Sequence, residues 1–365
     1  MSFGSLQRIG VAVLAAAALV LSGCASGSGS SASPAAGSSG SSAAGKPISI
    51  ALSNGFVNGW RLTLINKFET EAKKLKEQGV VSDYTTVNAP GENSATEQAS
   101  QIRSLILKKP DVLMVIPASS TALVPAVEEA CAAGITVLVL DADMDAKCAT
   151  VVRNAYSQWG EDSLKPALDA IGGKGNIIIN RGVIGSQPEQ EFNDRQHEIL
   201  KDYPDVKVVA EVNGYCDSST AQKEIVAVLG SLPQIAAVPG CIGGMGVVQA
   251  FESAGRPLPV VVFDTDGKSL SFWKKSGIKN GSFAALTDPG QSVAAIYVAL
   301  AKLAGKDVPH EIVLPLVSVN QENLDYWVGK LGADEYASQP WTEASVQAAL
   351  DAIAAGKPAP APALN

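Results

Sequence analysis

The chain has 365 residues, 46% hydrophobic and 18% charged, proportions that suit a globular protein with a sizeable core and not a disordered one. Its 28 basic and 36 acidic residues give a formal charge of −8 with no basic cluster, which argues against nucleic acid as a partner. The two histidines, His197 and His310, are far apart and lack metal-ligand spacing, so no metal site is expected.

At the amino terminus, Arg8 precedes an apolar run over residues 9–21 that is short for a membrane span and has the length of a signal-peptide core. The run ends in Leu21-Ser22-Gly23-Cys24, which resembles a bacterial lipobox. That resemblance implies that residues 1–23 are a removed signal and that Cys24 carries a lipid. Residues 25–46 hold no aromatic and no branched aliphatic side chain, so they cannot bury surface to offset their ordering entropy. Residues 24–46 are therefore expected to be a lipidated cysteine and a flexible tether spanning roughly 25–30 Å. No later apolar run reaches spanning length, so the expected location is outside the cytoplasm, held to the membrane by the lipid alone.

From residue 48 onward, β-type runs at 48–53, 80–87, 111–117 and 135–141 alternate with helix-period segments near 60–78, 94–108 and 120–133. A fifth strand precedes Asn154, and the alternation starts again with a helix over 157–170. Strands at 176–180, 206–212, 235–238, 259–264 and 282–287 are separated by helices at 188–202, 218–229, 244–254 and 268–276. A long helix over 289–303 and a strand-type run over 311–319 follow. Such succession predicts parallel sheets covered by helices on both faces, and the unbroken apolar runs DVLMVI and ITVLVL agree with that. Two consecutive sets imply two similar α/β lobes. Gly134, Gly230, Gly255 and Gly305 stand at predicted helix ends, each suited to a left-handed cap. Residues 331–365 are expected to form a short helix and then a disordered Ala/Pro tail.

In open parallel sheets, ligands bind beyond the carboxyl ends of the strands, so polar residues there are the site candidates. Asn54, Ser119, Asp141 and Asn154 hold that place in the first set, and Asn180, Arg181, Asn213, Asp264, Thr287 and Asp288 in the second. Four cysteines remain besides Cys24, an even number that suggests disulfides outside the cytoplasm. Cys131 ends a predicted helix and Cys148 follows the next strand after a turn; Cys216 and Cys241 are a possible second pair whose distance the sequence leaves open. GVIGSQP is not a nucleophile elbow, and the Gly-rich stretches 172–175 and 243–246 are not phosphate loops, so no catalytic residue and no cofactor are expected.

Three stretches, VLMVIPASSTALVPAVEEACAAGITVLVLDAD, YPDVKVVAEV and VVQAFESAGRPLPVVVFDTD, are similar to the ribose- and galactose-type periplasmic binding proteins, in a match spanning residues 47–330. The resemblance implies the type I periplasmic-binding-protein-like fold, two Rossmann-like lobes with parallel sheets joined by a three-strand hinge. It assigns residues 47–153 plus 288–314 to the N-terminal lobe and 154–287 plus 315–330 to the C-terminal lobe. Crossings fall near Arg153-Asn154, Thr287-Asp288 and Leu314-Pro315. A subgroup with Asn-x-Trp-Arg in the first helix, here Asn58-Gly59-Trp60-Arg61, commonly brackets the fourth strand with a cysteine pair, matching Cys131 and Cys148. The implied function is capture of a sugar or polyol by hinge closure and delivery to the permease subunits of an ABC importer, by a chain expected to act as a monomer.

A sugar offers hydroxyls that donate and accept, together with apolar C–H faces. Carboxylates accept, Arg and Asn donate in planar forks, and aromatic rings cover the faces. The matching family positions are Asn54, Phe56, Asp141 and Arg195. Asp264, Thr287 or Asp288 at the second crossing, and Trp60 as a stacking ring complete the expected ligand-binding set. Plainer roles compete: Asp141 as a turn cap, Asp266 in place of Asp264, Phe56 and Trp60 as core, Arg195 as an outer helix charge. Ala142 stands where the family often has Arg, and Gly240-Cys241-Ile242-Gly243-Gly244 where many members have Asn-Asp. The polar contact set is thinned accordingly. The alternatives are the same fold binding a nucleoside or amino acid, or presenting its ligand to a sensor kinase.

Overall fold

The computed structural model describes residues 46–91, 94–184 and 187–364; the expected signal, Cys24 and all but the end of the tether lie outside the described residues. The first set of elements is β1 (Ile48–Asn54), α1 (Gly59–Glu77), β2 (Val81–Asn88), α2 (Ala95–Lys108), β3 (Val112–Ile116), α3 (Val124–Ala132), β4 (Thr136–Leu140) and β5 (Thr150–Asn154). The second is α4 (Tyr156–Asp162), α5 (Lys165–Ala170), β6 (Gly175–Arg181), α6 (Gln187–Leu200), β7 (Val206–Asn213), α7 (Ser218–Leu229), β8 (Ala237–Val238), α8 (Gly244–Ser253), β9 (Val260–Phe263), α9 (Gly267–Ser276) and β10 (Phe283–Leu286). The chain closes with α10 (Gln291–Leu303), β11 (Glu311–Leu314), β12 (Val317–Val319), α11 (Leu324–Lys330) and α12 (Glu343–Ala354).

These strands form two six-stranded sheets, ordered β11-β5-β4-β3-β1-β2 and β12-β10-β9-β8-β6-β7. In the first sheet Ile50, Leu52, Met114, Leu138 and Val152 face one apolar layer with α1, α10 and α12, while Ala51, Leu113, Val115, Val137 and Val151 face another with α2 and α3. This is the period-two alternation of a strand, with both faces apolar because both are covered. The second lobe has its own core around Ile177–Ile179, Val261, Phe263 and Trp273.

The structure departs from the sequence reading at several points. The predicted helix over 157–170 is two helices, because Pro166 at the start of α5 has no N–H to continue a helical ladder. The run over 311–319 divides at Pro315 into β11, parallel to β5, and β12, antiparallel to β10. The chain leaves the first sheet at its carboxyl edge and enters the second from the same side, so β12 must run against its neighbours. Gly134, Gly255 and Gly305 are left-handed, whereas Gly230 caps α7 in right-handed geometry. Both cysteine pairs are bridged, Cys131–Cys148 at a Cα separation of 6.2 Å and Cys216–Cys241 at 5.2 Å.

The hinge holds more chain than the sequence reading contains. Besides the passages at Asn154, Thr287-Asp288 and Leu314-Pro315, the chain crosses a fourth time. Ala337 is buried in the second lobe's core and Trp341, four positions on, in the first lobe's. Val346, Ala349 and Leu350 of α12 then pack beneath the first sheet, and Ala359 of the Pro/Ala end packs partly against the same layer. One asparagine ties the first three crossings together. Asn154 Nδ2 donates to the carbonyls of Leu314 and Pro315 at 3.0 and 2.9 Å, and its Oδ1 accepts from the Asp288 N–H at 2.9 Å.

Candidate functional site

Crossings leave β5, β10 and β11 at their carboxyl ends, so the carboxyl edges of the two parallel sheets face each other across the hinge. By strand order β1-β2 and β6-β7 lie farthest from the hinge, and the loops after β4 and β9 lie nearer to it. The loops between these edges form the cleft in which the open-sheet rule places a ligand.

On the first lobe the organising group is Arg61. Asn58 caps α1 by accepting from the Arg61 N–H at 2.8 Å, which sets the first helical turn so that the Arg61 side chain lies back toward the strand ends. The guanidinium is almost fully buried; it donates to Asn54 Oδ1 at 3.2 Å, stands 3.9 Å from the Asp141 carboxylate and lies 3.8 Å over the Phe56 ring. Such stacking suits a planar, weakly hydrated cation. Asp141 occupies left-handed backbone at φ 54°, which a non-glycine residue holds only when its surroundings demand it. Gln291 accepts from its N–H at 3.0 Å, and the Tyr156 hydroxyl donates to its carbonyl at 2.8 Å. Burial pushes the Asp141 carboxyl above its ordinary value, with Arg61, Gln291 and Tyr156 opposing. The cation missing at Ala142 is thus supplied from α1, a partner that sequence reasoning did not place at the site.

On the second lobe Asp264 follows β9 with 9% of its surface exposed. Its Oδ1 accepts from the Thr265 N–H at 2.7 Å, and its carboxyl sits beside Asp266 and the Tyr336 hydroxyl. Burial first and the Asp266 charge second hold Asp264 well above the usual carboxylate range. Asp266 itself caps α9, accepting from the N–H and hydroxyl of Ser269 at 2.9 and 2.7 Å. Next to them runs an apolar wall of Tyr156, Trp159, Phe192, Cys241, Ile242 and Leu316, against which Trp60, Cys216 and Tyr336 pack. Gly240 approaches Asn180 so closely that a Cβ would lie 2.1 Å from its carbonyl oxygen, which accounts for glycine at that turn.

Asn54, Phe56 and Asp141 are therefore gathered around Arg61, and Asp264 stands at the facing edge. Trp60 donates its Nε1–H to the Thr287 carbonyl at 3.0 Å, so it also joins α1 to the second crossing. Thr287 is buried. Asp288 is completely buried, its carboxylate accepting from the Gly290 N–H, the Gln339 N–H and the Trp341 Nε1–H at 2.7, 3.0 and 2.7 Å, so it anchors the fourth crossing. Arg195 does not join the others. It binds Glu161 and Glu198, each at 2.6 Å, and borders a surface depression with Lys165, Asp202 and Tyr203. At about 1.5 Å per residue, its position along α6 carries it roughly 12 Å from the cleft end of that helix. Among the described residues no group of His, Cys, Asp or Glu could hold a metal ion, and no helix is long and apolar enough to cross a membrane.

The pattern of the periplasmic binding protein domain matches residues 50–307. A solved ABC transporter solute binding protein from Thermobispora bispora is 49% identical, with a TM-score of 0.77, covering 86% of this chain and 98% of that one. The xylitol-binding protein of Mycolicibacterium smegmatis is 28% identical over 270 residues, 72% of this chain and 76% of the relative. The ribose import binding protein of Bacillus subtilis is 26% identical over 230 residues, 62% and 72% of the two chains. With two six-stranded sheets joined through a hinge, a family pattern over residues 50–307 and relatives that are binding proteins and not enzymes, this chain belongs to the periplasmic binding protein domain family.

Proposed function

We propose that this protein captures a sugar or polyol outside the cytoplasm and delivers it to the permease of an ABC importer, tethered to the membrane through a lipid on Cys24. The observation that carries the reading is the cluster of Arg61, Asp141, Asn54 and Phe56 at the strand ends of one lobe, with the buried Asp264 at a strand end of the other. Buried carboxyls and a guanidinium beside an aromatic face complement a neutral solute with many hydroxyls. The xylitol and ribose binding of the two relatives supports the same substrate class. A solute that touches both lobes binds the closed form better than the open one and shifts the population toward closure.

The test is a thermal-shift screen of the full chain carrying Cys24→Ser, with pentoses, hexoses, polyols, nucleosides and amino acids. Binding to the folded state alone raises the melting temperature. A shift with a pentose or polyol is expected, and Asp141→Ala should weaken that ligand by about 10- to 100-fold while the protein stays folded. A response to nucleosides or amino acids with none to sugars would overturn the substrate class.

A further inference from the structure

The fourth crossing does more than fasten the hinge. Residues 332–337 lie along the second lobe, where the N–H groups of Gly267 and Lys268 donate to the carbonyls of Glu335 and Ala333 at 3.0 and 2.8 Å. The Ala337 N–H donates to the Thr265 carbonyl at 3.0 Å, and Tyr336 forms an antiparallel bridge with Asp266. This ladder puts the Tyr336 side chain on the same face as those of Asp266 and Asp264, with its hydroxyl 3.6 Å from where a Gly59 Cβ would lie. The same residue meets the first lobe. Its ring lies so close to Gly59 that a Cβ there would be 3.3 Å from Cε2, its N–H donates to Thr63 Oγ1 at 3.3 Å, and the adjacent Glu335 pairs with Lys67 at 2.9 Å. Tyr336 is half-buried and packs against the apolar wall.

We propose that Tyr336 is a specificity-determining ligand contact, forming with Asp264 a two-point clamp on one ligand hydroxyl. The proposal rests on the reading of the cleft as a sugar or polyol site. A hydroxyl both donates and accepts: on binding, the ligand's proton goes to the Asp264 carboxyl, and the single phenolic proton of Tyr336 turns from that carboxyl to the ligand oxygen. Asp266 is committed first to capping α9, each of its oxygens accepting from Ser269. The turn Gly240-Cys241-Ile242-Gly243-Gly244 has no polar side chain, and Cys241 is bridged to Cys216, so the second lobe lacks a donor there. Tyr336 supplies one from a segment beyond the residues that match the family pattern.

The experiment is calorimetric titration of the full Cys24→Ser chain, with and without Tyr336→Phe, using xylitol, D-ribose and the monodeoxy forms of whichever binds. Phenylalanine keeps the ring packing, and the melting temperature reports whether the fold is kept. The phenylalanine variant should bind the parent ligand about three- to tenfold more weakly. One monodeoxy analogue should bind both proteins equally, because the hydroxyl that Tyr336 holds is already gone. A purely structural role would weaken every analogue by the same factor; that result, or no weakening at all, would overturn the clamp while the sugar site stands. Failure of the parent chain to bind either solute would overturn the sugar reading of the cleft and the clamp together.

Discussion

Asp288 and Asp141 are both buried carboxyls near the hinge, and their neighbours give them different work. Asp141 keeps an edge toward Arg61 and the cleft, whereas all three donors around Asp288 belong to the hinge and the fourth crossing. Burial raises Asp288 from 3.8 to about 6, against the pull of Trp341, Gly290 and Gln339. An acid raised in the folded state binds more protons folded than unfolded between those two values. Its contribution to stability is therefore full below about pH 4, falls as pH rises to about 6, and stays low above that, a change on the order of 3 kcal/mol. Asp288→Asn cannot titrate, so its stability–pH profile should be flatter between pH 4 and 6. Urea unfolding across that range checks this, and an unaltered slope would assign the titration elsewhere.

At the scale of elements, the segment from Gly332 to α12 converts an expected tail into part of both lobes. Trp341 is its anchor in the first lobe, buried against the layer that holds Val346 and Leu350 and bonded through Nε1 to Asp288. Trp341→Ala should cost about 3–5 kcal/mol, from the cavity together with the loss of one of the three donors to the buried Asp288 carboxylate. Hydrogen exchange should rise across α12 and leave β3 and β4 protected; uniform loss of protection would mean that α12 is not a separable unit. Arg195 is the opposite lesson about elements. Its residue type fits a sugar site, but helix rise places it with Glu161 and Glu198, where it bridges α4 and α6.

For the whole molecule, Asn154 and Asp288 together knit four crossings into one joint. Asn154 contacts the second and third through its side chain, and Asp288 holds the fourth. Asn154→Ala leaves two carbonyls and one N–H buried without that partner, an expected loss of about 2–4 kcal/mol. Because the loss falls on the joint, ligand affinity should drop as well although Asn154 touches no proposed ligand contact. Denaturant unfolding and titration of the same variant check both, and a stability change below about 1 kcal/mol would show that the joint does not depend on this residue.

The order of strands and helices, the two-lobed α/β class and the polar residues at strand ends followed from the sequence, because hydrophobic period and turn chemistry act over a few residues. Asn54, Asp141 and Asp264 were legible as candidates for that reason, since each ends or directly follows a predicted strand, whereas Phe56 came from the family resemblance alone. Only the tertiary structure decided which polar groups meet. It brought Arg61 from a helix to Asp141, turned Asp288 inward to Trp341, carried Arg195 away along α6, and led residues 332–341 back to set Tyr336 beside Asp264. Those outcomes depend on helix rise, sheet order and the burial of residues distant in the chain, and no local pattern encodes such distances.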